Sequence, residues 1–307
     1  SDFGPSYTLA PQQGALVMPF LLTADNTLYE LDGAPHKVGG STRLNSTAIS
    51  SGTNDVHGLF DAWYQGTAGS ETQIEWAHAG TELFSMPAMG GTWTSRASGL
   101  EDSKEPCFTM ATDIVIWTSS SSVDVPRSLT VTPSVGTLGG SPSNFDFPAW
   151  HKNRGWGAGV DGNPSRLYYS AVDTVVDWTG AGSGSIDVDP SDGDRITGLL
   201  SHKNELLVFK GPNRGSIHRI TGSSPTGTDA FARVPFISKI GAVNHNGITT
   251  IGDDVVFASP RGIHSLAATA AFGDYVEAFL SRPILTYYQA SLNHTVVHQT
   301  WAVNYST

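Results

Sequence analysis

Four carboxylates fall within eight residues in the run SIDVDPSDGDRITG, 185–198: Asp187, Asp189, Asp192 and Asp194. Carboxylate oxygens crowded on a flexible, glycine-bearing loop are what a hard cation such as calcium takes as ligands. The EF-hand pattern does not fit. Counted from Asp187, the sixth and twelfth positions hold Asp192 and Gly198 rather than Gly and Glu. The competing reading is a solvated turn whose Asp side chains cap backbone N–H groups. Ten histidines supply further candidates. His151, His202 and His218 recur within the repeats described below, which predicts structural roles at turns. No His-Glu-x-x-His zinc helix and no Gly-x-Ser-x-Gly elbow occurs. MGGTW, 89–93, is a fragment of the Asp-box turn of sialidase-type chains, without its Ser-x-Asp half. The glycine-rich runs GWGAGVDG, 155–162, and GAGSG, 180–184, are not followed by helical patterns, so a turn is expected there rather than a phosphate cradle. No residue is nominated as catalytic, and the chain reads as a non-enzyme without a required cofactor.

The elements that must position these groups are strands. TQIEWAHA, TELFSM, DIVIW, RLYYSA, ELLVFK, SIHRIT and DVVFA are short alternating or apolar runs, separated by Gly, Pro, Asn and Ser. That pattern predicts an all-β sandwich, barrel or propeller. Internal echoes favour a propeller. His-Lys-Asn occurs at 151–153 and 202–204, and Arg-Gly-Ser-Ile-His at 214–218 is followed by Arg-Gly-Ile-His at 261–264. A period of 40–50 residues with four strands per unit is the propeller range. Units are expected at about 55–100, 105–142, 145–188, 194–238 and 242–286. A sixth blade would combine 287–307 with N-terminal strands near NTLYEL, giving about six blades, with five to seven as the range. Residues 1–25 form an arm and 26–307 the propeller. An irregular sandwich is the alternative. Two further local expectations are a helix at DYVEAFL, 274–280, stopped by Pro283, and a strand at 295–305. The eight tryptophans recur about once per unit and are expected to fill the layers between blades.

Composition narrows the classes further. Seventeen Lys and Arg against 28 Asp and Glu give a net charge of −11, so the basic face needed to grip duplex DNA is missing. No run approaches 18 apolar residues, so no helical membrane span is expected. Cys107 is the single cysteine, which excludes an internal disulfide and a Cys-based zinc site. The first residues lack the basic segment of a secretory leader.

The run AWHKNRGWGAGVDGNPSRLYYS, followed by VDWTGAGSGSIDVDPSDGDRITGLLSHKNELLVFK, GSIHRITGSSP and ISKIGAVNHNGITTIGDDVVFASPRGIHSLA, resembles the tail tubular, nozzle or tail-hub proteins of tailed bacteriophages. LYELDGAPHKVGGSTRLNST, upstream, is similar to the start of that family. The resemblance covers about 25–285 and is strongest over 150–265. It implies a β-propeller in a virion tail, made in the host cytoplasm. It also implies a homo-oligomeric ring, commonly of six, touching other tail or adaptor proteins and passing genomic DNA without sequence-specific binding. Candidate contacts are Asn213 and Arg214 in the GPNRG loop, with Asp187 and Asp194 as an acidic face toward a lumen. A host-glycan-binding module of the tail is the alternative.

Overall fold

The computed structural model describes residues 27–29, 35–37, 49, 55–66, 69–87, 91–120, 122–140, 144–272, 279–293 and 295–304. The chain divides into two units, 1–44 and 45–307. In the first, β1 (Thr27–Tyr29) and β2 (Pro35–Lys37) pair antiparallel.

Among the described residues the second unit holds five antiparallel sheets, each a simple meander in chain order. The first comprises β3 (Val56–Gln65), β4 (Glu71–Ala79), β5 (Glu82–Pro87) and β6 (Thr94–Ser98). The second comprises β7 (Pro106–Ala111), β8 (Ile114–Ser119), β9 (Arg127–Thr130) and β10 (Val135–Thr137). The third comprises β11 (Phe147–His151), β12 (Arg154–Ala158), β13 (Arg166–Tyr169) and β14 (Gly184–Asp187). The fourth comprises β15 (Arg195–His202), β16 (Glu205–Gly211), β17 (Ser216–Thr221) and β18 (Ala232–Ser238). The fifth has three strands, β19 (Ile248–Ile251), β20 (Asp254–Ser259) and β21 (Gly262–Ser265). All five fall inside the units read from the sequence. First strands of successive sheets pack together: β3 on β7, β7 on β11 and β11 on β15.

Local chemistry explains the repeat. In sheets two to five the first hairpin turns through two residues, and the first of them is left-handed: Thr112, Lys152, Lys203 and Gly252, with φ between 49° and 58°. Both His-Lys-Asn triplets are therefore tight hairpins, with the right-handed strand twist favouring positive φ at the turn. The second strand of every sheet carries one large aromatic with no exposure: Trp76, Trp117, Trp156, Phe209 and Phe257. β8 and β16 read as near-continuous apolar runs because their alternate residues pack on different sheets: Val115 and Trp117 with sheet one and Ile116 with sheet three, Leu206 and Val208 with sheet three and Leu207 and Phe209 with sheet five. The expected filling of inter-sheet layers by tryptophan holds for Trp76, Trp117, Trp156 and Trp178, whereas Trp63 and Trp301 are 51% and 44% exposed.

Close approach of neighbours fixes the Arg-Gly echo. Gly215, at φ +73°, lies against Ile240 and Gly241, where a Cβ would come within 2.6 Å of the Gly241 nitrogen. Gly262, which opens β21, is held by side chains instead, with Ser281 Oγ 2.6 Å from where its Cβ would be.

Several expectations are corrected. The described part of 287–307 forms no strand for a sixth sheet. It is helical at α2 (Leu285–Ser291, introduced after α1, Leu266–Phe272) and in a 3-10 turn at Val297–Gln299, then irregular to residue 304. Its polar backbone bonds to a loop instead of a ladder: Asn244 Nδ2 donates to Thr300 O at 2.9 Å and Ala302 N–H to Asn246 O at 2.8 Å. Trp301 reaches the first sheet, 3.4 Å from where a Gly58 Cβ would sit. Strand β21 ends at Ser265. There the Asp254 carboxylate accepts the Ala267 N–H at 3.0 Å and starts α1. The helix expected at 274–280 falls mostly outside the described residues, as do the whole arm 1–25 and Met89 and Gly90 of MGGTW.

Candidate functional site

The aspartate loop does gather oxygens around a positive charge, and that charge belongs to the chain. Lys210 on β16 has no exposed side-chain surface. Its Nζ donates to Val188 O and Asp189 O at 2.7 Å each, to Asp192 Oδ1 at 2.8 Å and to Ser165 Oγ at 3.2 Å. An ammonium this deep must replace its hydration shell with protein oxygens, and the loop provides them. The other carboxylates are engaged as well. Asp187 holds Arg166 two-pronged at 2.7 and 3.1 Å. Asp189 pairs with Arg233 at 2.7 Å and lies 3.6 Å from His218, which burial keeps below its ordinary pKa. Asp194 accepts the N–H groups of Asn213, Arg214 and Gly215 at 2.7, 2.9 and 2.8 Å. The predicted calcium position is thus taken up by a lysine. Among the described residues no group of three or more His, Cys, Asp or Glu is disposed to hold a metal ion. The acidic face expected of this loop is compensated residue by residue. EF-hand spacing could not show this, because the cation arrives from a strand 16 to 23 positions downstream.

Asp194 is 6% exposed and fixes the GPNRG loop by three amides. Asp194→Ala leaves those N–H groups without their charged acceptor; water can reach the part-buried Asn213 and Arg214 amides, so the buried Gly215 N–H carries most of the cost, about 1.5–3 kcal/mol. The expected loss is about 3 kcal/mol in urea unfolding. A loss under about 1 kcal/mol would show that the loop is held by other contacts. The side chains of Asn213 and Arg214 stand exposed on that loop. Asn213 Nδ2 also donates to Gly193 O at 3.0 Å, which ties the two contact candidates to the aspartate loop.

The recurring histidines sit at equivalent strand positions, with one change of register. His151 and His202 end the equivalent strands β11 and β15. His218 lies on a third strand and corresponds to His264 instead. His151 Nδ1 bonds Ser201 Oγ at 2.8 Å, and His264 Nε2 bonds Ser259 Oγ at 2.7 Å. The sequence holds one His-x-x-x-His spacing, His294 and His298, whose side chains lie outside those described. The 180–184 run is a turn closed by Asp177, which accepts the Gly180 N–H at 2.7 Å, and the 155–162 run is largely strand β12.

The concave feature that sequence reasoning missed lies where sheets two to five meet. A cavity of about 500 Å³ is walled by the entry ends of β7, β11 and β15 and by the 243–246 segment that leads toward β19. Each entry contributes chemistry: Glu105 and Cys107, then Asp146 and Phe147, then Arg195 and Thr197, then His245 and Asn246. Asn246 ties the wall together, with Nδ2 donating to Pro106 O at 3.2 Å and Oδ1 facing Cys107 Sγ at 3.6 Å. His245 Nδ1 accepts the Leu199 N–H at 3.2 Å, so a neutral ring carries its proton on Nε2. The His245 ring stacks on Phe147 with centroids 5.7 Å apart. Burial holds His245 near a pKa of about 4 and pushes the Cys107 thiol up, which leaves the thiol protonated and unreactive. The Asp146 carboxyl is 13% exposed and lies 3.4 Å from Arg195. Burial raises its pKa to about 7 against the opposing pull of Arg195, with Asp161 adding to the rise. A carboxyl that changes charge near neutrality, inside a cavity, is a functional-site signature. Its parts lie between residues 103 and 297, so no local pattern could have announced them.

No family model matches this sequence, and no curated protein matches it. Among solved structures, the chain has likeness to a chain of the mitotic checkpoint complex (TM-score 0.43, 11% identity, 78% of this chain and 74% of that one). It also has likeness to an auxiliary nutrient binding protein from Bacteroides thetaiotaomicron (TM-score 0.43, 12% identity, 68% of this chain and 54% of that one). The computationally designed Ika4 protein gives a TM-score of 0.38 at 11% identity, over 58% of this chain and 98% of that one.

Proposed function

We propose that this chain is a non-enzymatic structural protein of a tailed-phage virion, whose five sheets are blades of a β-propeller built into a homo-oligomeric tail ring. The observation that carries the reading is the coincidence of sequence and sheet boundaries. The stretch that most resembles tail nozzle and hub proteins, 150–265, runs from the end of β11 to the end of β21 and so takes in the body of sheets three to five. Packing of first strand on first strand in chain order is what blades around one axis produce. Closure would then come from the C-terminal side. Residues 300–302 bond the 244–246 loop, while Trp301 approaches β3. Joining a last blade to a first one protects sheet edges. A net charge of −11 per copy disfavours adhesion to DNA passing a ring. Neighbours in the tail would dock on exposed loops, Asn213 and Arg214 among them.

The test is mass by light scattering, together with imaging of virions labelled for this chain. Six copies of 32.5 kDa give about 195 kDa, and label on the tail axis is the expected companion. A monomer in solution with peripheral label overturns the ring and moves the chain to host recognition.

A further inference from the structure

The cavity between sheets two and five is the feature that a purely mechanical role leaves unused. We propose that it binds a neutral polyhydroxylated molecule, a monosaccharide or the terminal sugar of a glycan. The inference goes beyond the ring reading and holds whether or not the chain assembles.

Size is the first argument. About 500 Å³ is within the range, roughly 300–1,000 Å³, that encloses small ligands. Charge is the second. Lys104 and Arg195 share the wall with Glu105, Asp146 and Asp161. An anion entering would meet three carboxyl groups, and a cation would meet an ammonium and a guanidinium. Desolvating a charged ligand against such a mixed wall is costly. A neutral ligand whose hydroxyls both donate and accept can satisfy both signs.

Hydrogen-bonding capacity is the third argument. Arg195 is half exposed and has five N–H donors, of which one reaches Asp146 at 3.4 Å. Thr197 Oγ1 spends its proton on Ala242 O at 2.8 Å and keeps lone pairs to accept. Asn144, at the rim, holds its own loop by donating to Ser122 O at 2.5 Å. The lining also includes Phe147, Val160 and Val243, apolar groups that can meet the C–H face of a sugar ring. Most of the lining residues are polar or charged, with a smaller apolar part, and that mixture suits a ligand that is itself densely hydroxylated.

The probes are the methyl glycosides of glucose, galactose, mannose and N-acetylglucosamine, with inorganic sulfate and spermidine as charged comparisons. The full chain is titrated with each by saturation-transfer NMR and calorimetry. At least one glycoside is expected to bind more tightly than either charged probe. Two exposed rim residues supply the variants, so that folding is not at stake. Ser122→Trp places an indole in the mouth, and Asp161→Ala removes one polar wall. Each is expected to weaken glycoside binding by about tenfold or more, equivalent to about 1.4 kcal/mol, with the melting temperature unchanged. Absence of binding by all four glycosides overturns the proposal. So does binding that survives both variants, or tighter binding of sulfate or spermidine. Light scattering on the same samples reads the ring independently, so failure of one reading is distinguishable from failure of the other.

Discussion

Replacing Lys210 by methionine is expected to destabilise the fold by about 3 to 5 kcal/mol, the cost of removing one partner from a buried charge site. Methionine matches the length of the stem, so the loss is read on the ammonium and not on packing. Without it, the carbonyls of Val188 and Asp189 and the hydroxyl of Ser165 lose a donor together, and the Asp192 carboxylate is left next to them. The Val188, Asp189 and Asp192 oxygens lie on the segment joining sheets three and four, and Ser165 lies beside β13, so the effect is on the coupling of neighbouring sheets as well as on one side chain. At about 2 to 4 °C per kcal/mol for a domain of this size, the melting temperature falls by roughly 6 to 20 °C. Asp192→Ala is expected to cost less, because its side chain is 24% exposed and water replaces one bond. Chemical unfolding of both variants checks the ranking. Equal losses, or a loss under about 1 kcal/mol at Lys210, would falsify the ammonium's role as the cation of the loop.

Acid is expected to weaken the protein steeply between pH 6.5 and 4. Burial lowers the pKa of His78, His151 and His245 to about 4 each, the neighbouring His57 and Lys152 adding to the effect at His78 and His151. The unfolded chain therefore takes up three protons near pH 6.5 that the folded chain refuses until about pH 4. Their contribution is fully present above pH 6.5 and is lost as pH falls through that window. Asp146 acts in the opposite direction. Its folded pKa of about 7 lies above the ordinary value of 3.8, so its contribution is full below pH 3.8 and is lost as pH rises toward 7. Inside the window three protons oppose one. These four groups alone give a net of two and a slope of about 2.7 kcal/mol per pH unit, positive with rising pH, and the lowered pKa of His218 acts in the same direction. Urea midpoints from pH 4 to 8 test the sign. Asp146→Asn removes the opposing group, so its slope is expected to be steeper below pH 6.5 and its stability higher than the parent's above pH 7. A flat profile between pH 4 and 6.5 would mean that the three imidazoles titrate freely.

Much of the architecture was legible before any coordinates. Strand-length apolar runs, Gly and Asn punctuation and the His-Lys-Asn and Arg-Gly echoes are local properties of the chain. They placed all five sheets, because a tight hairpin and a buried central strand each demand residue types within a few positions of one another. The final segment misled for the same reason. TVVHQTWAVNY has the composition of a strand, but a strand needs a partner edge. Residues 300–302 instead found the carbonyl and amide of Asn246 and Asn244.

The site divides along the same line. Sequence alone showed that four aspartates crowd one loop and that oxygen ligands there would attract positive charge. Only the tertiary structure decided that the charge is Lys210, because β-sheet register brings a side chain from the next sheet into the loop. Likewise, Asp146 is one aspartate among many in the sequence. Its position near neutrality comes from burial between sheets and from Arg195 and Asp161, 49 and 15 residues away. Turn chemistry and strand periodicity act over a few residues and can be read along the chain. Desolvation and the pairing of charges act through space, and they exist only once the sheets are packed.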